Sequence, residues 1–108
     1  MFKSLSLTVG GEIALQTDIT DALKKTKDAN YTPDALFSGI AGQVCSDLNI
    51  ALLANVLYTS AKPGSDVNAD PALLAPVKAT GFTMLLPAHE NALDLGIDGA
   101  RATLSALR

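Results

Sequence analysis

The sequence is poor in the residues that most often carry chemistry: among 108 residues there are one cysteine, one histidine and no tryptophan. A lone Cys45 cannot close an intrachain disulfide, so the framework that holds small secreted domains together is absent, and a reducing compartment, the cytoplasm, is expected. One His and one Cys, with no partner at C-x-x-C or i, i+4 spacing, cannot fill a zinc shell. They are the only pair that could form a nucleophilic dyad, and neither has the surroundings for it. Cys45 sits beside Val44 on an apolar stripe, where a thiol reads as a small buried hydrophobe that labels slowly. His89 follows Pro87 at an expected helix start, where the dipole disfavours the imidazolium. No catalytic residue, metal ligand or cofactor is therefore assigned, and the chain is not expected to be an enzyme.

Charge is scarce as well. Charged residues make up 18% of the chain, and 8 Lys plus Arg stand against 11 Asp plus Glu, a net charge of −3. That is the wrong sign for neutralising phosphates, so no nucleic-acid partner is expected. The one basic cluster, Lys24, Lys25 and Lys27, is flanked by Asp21 and Asp28 and reads as a solvated helix face. A continuous apolar leader is also missing, because residues 2 to 9 alternate polar with apolar and do not resemble a signal peptide. Asp47 is the sole charge between Ala35 and Ala61, but Gln43, Ser46, Asn49 and Asn55 in the same stretch argue against a membrane span.

Two binding motifs begin and fail. Gly10-Gly11 leads into a strand pattern, not the helix a phosphate loop requires. Asp66, Asn68 and Asp70 match the opening of a calcium loop, yet Pro71 replaces the turn glycine and Val77 the bidentate carboxylate. A capped loop accounts for them.

What the chain has in abundance is apolar residues, 48% of the total. Leu5, Leu7 and Val9 alternate with Ser4, Ser6 and Thr8 as a half-buried strand does. A Gly10-Gly11-Glu12 loop then brings Val9 opposite Ile13 and Leu7 opposite Leu15, which predicts a hairpin of strands 2–9 and 12–17. Thr17 with Asp18, or Thr20 with Asp21, can cap a helix over 18–28. Thr32-Pro33-Asp34 starts a long helix, 33–60, ended by Pro63-Gly64, with Gly39 and Gly42 inside it as close-packing positions. Asp70-Pro71 opens a helical turn through Ala75 that Pro76 interrupts. Residues 82–86 read as a short buried strand. A last helix, 88–107, carries a seam of Leu93, Ile97, Ala100, Leu104 and Leu107 at coiled-coil-like spacing.

The expected fold is one α+β domain, residues 1–108, in which a small antiparallel sheet (the N-terminal hairpin plus one later strand) packs against about three helices. An all-α body is the alternative. Too little charge covers so small a domain for all of its apolar surface to stay in water. The leading functional reading is a non-enzymatic, self-associating structural or assembly subunit, a small homo-oligomer or particle component. Its partner would be another copy or another protein, met through the C-terminal seam. On the long helix, Asn49 and Asn55 point into apolar surroundings and must bond to backbone, to a symmetry mate or to a ligand. They motivate a second reading, a small-ligand-binding or adaptor module, and a small enzyme is the third.

Overall fold

A computed structural model describes residues 3–25, 33–61 and 65–108. Strand β1 (Leu7–Ile13) is followed by helices α1 (Thr17–Lys25) and α2 (Pro33–Phe37), then by strand β2 (Leu48–Leu53). A 3-10 turn (Pro71–Leu73) runs into α3 (Leu74–Thr80), and strand β3 (Met84–Leu86) and helix α4 (Gly96–Ala106) complete the chain. The three strands form one sheet in the order β1-β2-β3, with both pairings parallel. The α+β character expected from the sequence holds, and the antiparallel hairpin does not.

The hairpin fails at Gly10-Gly11, where the chain does not turn. Strand β1 runs straight through both glycines, with Val9 opposite Ile50 and Glu12 opposite Leu52, so three steps of β1 match two of β2. The extra residue is a bulge. The glycine is needed for close approach: a Cβ on Gly10 would lie 2.9 Å from Cε1 of Phe82. Beyond Ile13 the chain does not fold back as a second strand but leads into α1, whose Asp18 carboxylate accepts the Ile19 N–H at 2.9 Å.

The long helix over 33–60 fails for a related reason. Only Pro33–Phe37 is helical, a turn follows in which Gly42 has φ 84°, and the apolar stretch beyond it is the central strand. Gly39 and Gly42 thus belong to a turn and pack against no neighbouring helix; a Cβ at either would meet nothing within 4 Å. A parallel strand flanked on both sides is apolar on both faces, and its sequence lacks the alternation that would mark it as a strand. Two further boundaries move. Pro76 is the third residue of α3, where the amide it lacks would have no intrahelical partner, so it does not interrupt the helix. Residues 89–95 form turns, and α4 starts only at Gly96, whose φ is 72°. The Asp70 cap stands as expected, its carboxylate accepting the Ala72 N–H at 2.9 Å. The far end of the expected 18–28 helix, with Lys27 and Asp28, and the Pro63-Gly64 stop lie outside the described residues.

One face of the sheet carries the core. Ala51 and Leu53 of β2 pack with Leu57, Ala69, Leu73, Val77 and Phe82, and Ile13, Phe37, Val44, Leu85 and Leu107 close in around them. Burying side chains such as Leu53 and Leu57 stabilises the fold by about 1.5–3 kcal/mol each. At the amino ends of β1 and β2 a polar clasp sets the register. The Ser6 N–H and hydroxyl both donate to the Asp47 carboxylate (2.8 and 2.7 Å), and the Asp47 N–H donates back to Ser6 Oγ at 2.9 Å. The backbone bond and then the hydroxyl bond from Ser6 hold the Asp47 carboxyl below its ordinary pKa.

The opposite face, by register, presents Leu7, Val9 and Glu12 of β1, Leu48, Ile50 and Leu52 of β2, and Met84 and Leu86 of β3. Leu7 and Val9 are 54% and 70% exposed, and Met84 and Leu86 are 44% and 42% exposed.

Gly81 terminates α3 at φ 122°, and a Cβ there would fall on the carbonyl oxygen of Val44. Gly81→Ala is expected to cost at least about 2 kcal/mol and to lower the melting temperature by roughly 8–16 °C. Gly11→Ala, with nothing within 4 Å of the added carbon, should leave melting unchanged. Equal melting temperatures for the two variants would contradict this account.

Candidate functional site

In a parallel sheet every strand delivers its carboxyl end to the same side of the molecule, which is where open α/β sheets place their ligands. Here the segments after β1, β2 and β3 converge on a cleft of about 880 Å³, within the usual range of roughly 300–1,000 Å³ for small-ligand sites. Leu15 and Gln16 arrive from β1, Ala54 and Asn55 from β2, and His89, Glu90 and Asn91 from β3. Asp18 and Asp21 of α1 and Asp66 of the loop before the 3-10 turn complete the walls.

The floor is held by one amide. Asn55 is 2% exposed. Its Oδ1 accepts the Leu15 N–H at 2.8 Å, and its Nδ2 donates to the carbonyls of Leu15 (2.9 Å) and Val67 (3.4 Å). Backbone bonds add to the same stitching: the Ala54 N–H donates to Ile13 O at 2.9 Å and the Val56 N–H to Val67 O at 2.8 Å. The loops after β1 and β2 therefore share one fixed geometry.

The lining is strongly acidic. Glu12, Asp18, Asp21, Asp66 and Glu90 contribute carboxylates, and no Lys or Arg stands among the described lining residues. Nor does any Ser, Thr, Cys or Tyr, so the described lining offers no hydroxyl or thiol nucleophile. His89 divides the cleft from a smaller cavity of about 110 Å³ walled by Val56, Pro87, Ala100, Thr103 and Leu104. Its Nδ1 is buried without a hydrogen-bond partner. Among the described residues no group of three or more His, Cys, Asp or Glu is placed to hold a metal ion. The arrangement is suited to attracting an organic cation, with amide and imidazole groups to orient it.

The structure distributes the residues singled out from sequence. Asn49 lies on β2, not on a helix, and is bonded within the chain: its Oδ1 accepts the Ser46 N–H at 3.0 Å and its Nδ2 donates to Ser46 O at 2.9 Å. Asn55 is likewise bonded within the chain, at the cleft floor. The C-terminal seam is divided. Leu93, Ile97 and Leu104 are 67%, 66% and 51% exposed, Ala100 is half-buried, and Leu107 packs on the core. Leu93 precedes α4 altogether, so the even spacing does not describe a single helix face. Cys45 is exposed, contrary to the buried thiol expected. It precedes the amino end of β2 while His89 follows the carboxyl end of β3, so the two stand at opposite ends of the sheet. In the calcium-like run, Asn68 Oδ1 accepts the Tyr58 N–H at 3.0 Å and Asp70 caps the 3-10 turn, which agrees with the capped-loop reading. The cleft carboxylates were not legible as a set, because they are spread from Glu12 to Glu90. They share no one position: Glu12 lies near the end of β1, Asp18 and Asp21 on α1, and Asp66 and Glu90 in loops.

A protein-family model described as bacterial capsule synthesis protein PGA_cap matches residues 6–108. A search of curated proteins returns no match.

The site's geometry sets two expected outcomes. Asn55→Ala strips the buried Leu15 N–H and C=O of their partners and should cost about 2–4 kcal/mol in denaturant unfolding; a loss below that of an exposed Asn→Ala control would show the floor to be held some other way. Cys45 should react with a thiol reagent at similar rates in folded and denatured protein, and strong protection in the folded state would contradict its exposed position.

Proposed function

The chain belongs to the bacterial capsule synthesis protein family PGA_cap, and on that premise we propose that it serves capsule synthesis as a non-catalytic binding subunit that holds an amine-bearing ligand in its strand-end cleft. The observation that carries this reading is the lining. Four carboxylates, Glu12, Asp18, Asp21 and Glu90, line it, with no lysine or arginine among the described lining residues. Such a cleft focuses negative potential and raises the local concentration of cations. A ligand amine can donate to carboxylate oxygens there, and Asn91 and Gln16 can bond its polar neighbours. An anionic group would meet repulsion.

Spermidine serves as a probe of the class, with glucose as a neutral control and citrate as an anionic one. Calorimetric titration is expected to show spermidine binding that weakens as salt is raised, with neither control binding. Glu12→Gln combined with Glu90→Gln removes two partly solvated ion pairs and should weaken spermidine binding by about tenfold. Preference for citrate or glucose would remove the cationic reading. Turnover of a capsule precursor by the purified chain, abolished by the same pair of substitutions, would show the cleft to be catalytic.

A further inference from the structure

We infer that the ligand of the acidic cleft is an amphipathic amine, whose cationic end sits in the cleft and whose apolar chain lies in a second groove that adjoins it. The inference rests on the cleft reading above and names the part of the ligand that reading leaves open. The groove has a volume of about 620 Å³. Glu12, Ala14 and Leu15, around the carboxyl end of β1, line the groove and the cleft alike, so the two spaces share a wall. That wall is held in one shape, because the Leu15 N–H and C=O are both bonded to the buried Asn55 amide.

Away from this junction the groove changes character. It follows β1 back as far as Thr8, and its other lining residues include Ile19 of α1, Leu36 of α2 and Ile40 of the turn after α2. These three side chains are 37%, 43% and 41% exposed, apolar surface facing an open space. The groove is also open at Gly11 and Gly39, where an added Cβ would meet nothing within 4 Å. Glu12, at the junction, is the one charged residue among the described groove lining. The cleft adds Asp18, Asp21 and Glu90 to it. Charge therefore fixes which end of a ligand goes where. An alkylamine is protonated at neutral pH; its ammonium is drawn to the carboxylates, and its chain leaves water against Ile19, Leu36 and Ile40. A molecule charged along its whole length would leave the groove unused, and a fatty acid would bring its carboxylate against Glu12.

The test is calorimetric titration of the full chain with butylamine, octylamine, octanol and octanoate. Octylamine is expected to bind at least tenfold more tightly than butylamine, since each methylene moved out of water is worth about threefold to fourfold. Octanol should bind more weakly than octylamine, and octanoate should not bind. Leu36→Ser combined with Ile40→Ser should bring octylamine down to the affinity of butylamine and leave butylamine unchanged, with circular dichroism to confirm the fold. Val9→Ser, on the sheet face, should change neither. Equal affinity for the two amines overturns the inference and leaves the cleft reading standing, whereas failure of both amines and of spermidine to bind overturns the cleft reading as well. Octanol or octanoate binding as tightly as octylamine overturns the inference, as does a chain-length gain that survives the double substitution or is lost in Val9→Ser. Should the double variant unfold, the wild-type chain decides: a nitroxide at the far end of the octyl chain should broaden the methyl signals of Ile19 and Ile40 before those of Leu7 and Met84, and the reverse order overturns the inference.

Discussion

The ladder that β2 makes with a strand on each side governs the rest of the molecule. Because both pairings are parallel, no two neighbouring strands can be joined by a tight turn, and each connection must travel the length of the sheet before the next strand begins. Those connections carry α1, α2 and α3, and the apolar residues they bring form the core against Ala51 and Leu53. The same parallel direction gathers every carboxyl end at one side, and the cleft results from that convergence. The connections bring Phe37 of α2 and Leu74 and Val77 of α3 to one side of the sheet, and Leu7, Val9, Met84 and Leu86 stand exposed on the other.

Buried polar groups do the finer positioning. Asn55 joins the loop after β1 to the segment after β2, and Asn68 bonds Tyr58 across the neighbouring loop. Thr103 receives the Leu57 N–H at 2.9 Å and donates to Gly99 O at 2.9 Å, fastening α4 to the chain beyond β2. Each of these side chains satisfies backbone groups that have left regular structure, where an unmade bond is most costly. The outcome is a cleft whose backbone is fixed and whose Glu12, Asp18 and Glu90 are exposed.

The parts of this fold that were legible in the sequence are those whose signals are local. The alternation in Leu5, Leu7 and Val9 marks a strand, Asp70-Pro71 marks a capped turn, and residues 82–86 contain β3, because alternation, capping and short apolar runs are properties of a few consecutive residues. Apolar surplus also pointed to unburied surface, and the structure shows it at Leu93, Ile97 and Leu104 of the C-terminal seam and on the sheet as well. The features that stayed hidden depend on distant neighbours. Leu48–Leu53 reads as a buried helix until the strands on either side are known. Gly10 reads as a turn until Phe82, more than seventy residues later, is seen to need the space. Asn49 and Asn55 were recognisable as buried amides in need of partners, but not which partners. The cleft carboxylates had no mutual spacing to betray them.

The clasp between Ser6 and Asp47 spans 41 residues of chain. During synthesis, β1 leaves the ribosome well before the strand it pairs with has been made. At about 5–20 residues per second the delay is roughly 2–8 s, long compared with the microseconds in which local helices form. Through that interval Leu5, Leu7 and Val9 travel on an extended segment with no ladder partner and little charge nearby. The chain is thus most open to capture by a chaperone, or to pairing with a neighbouring nascent copy, before its central strand exists.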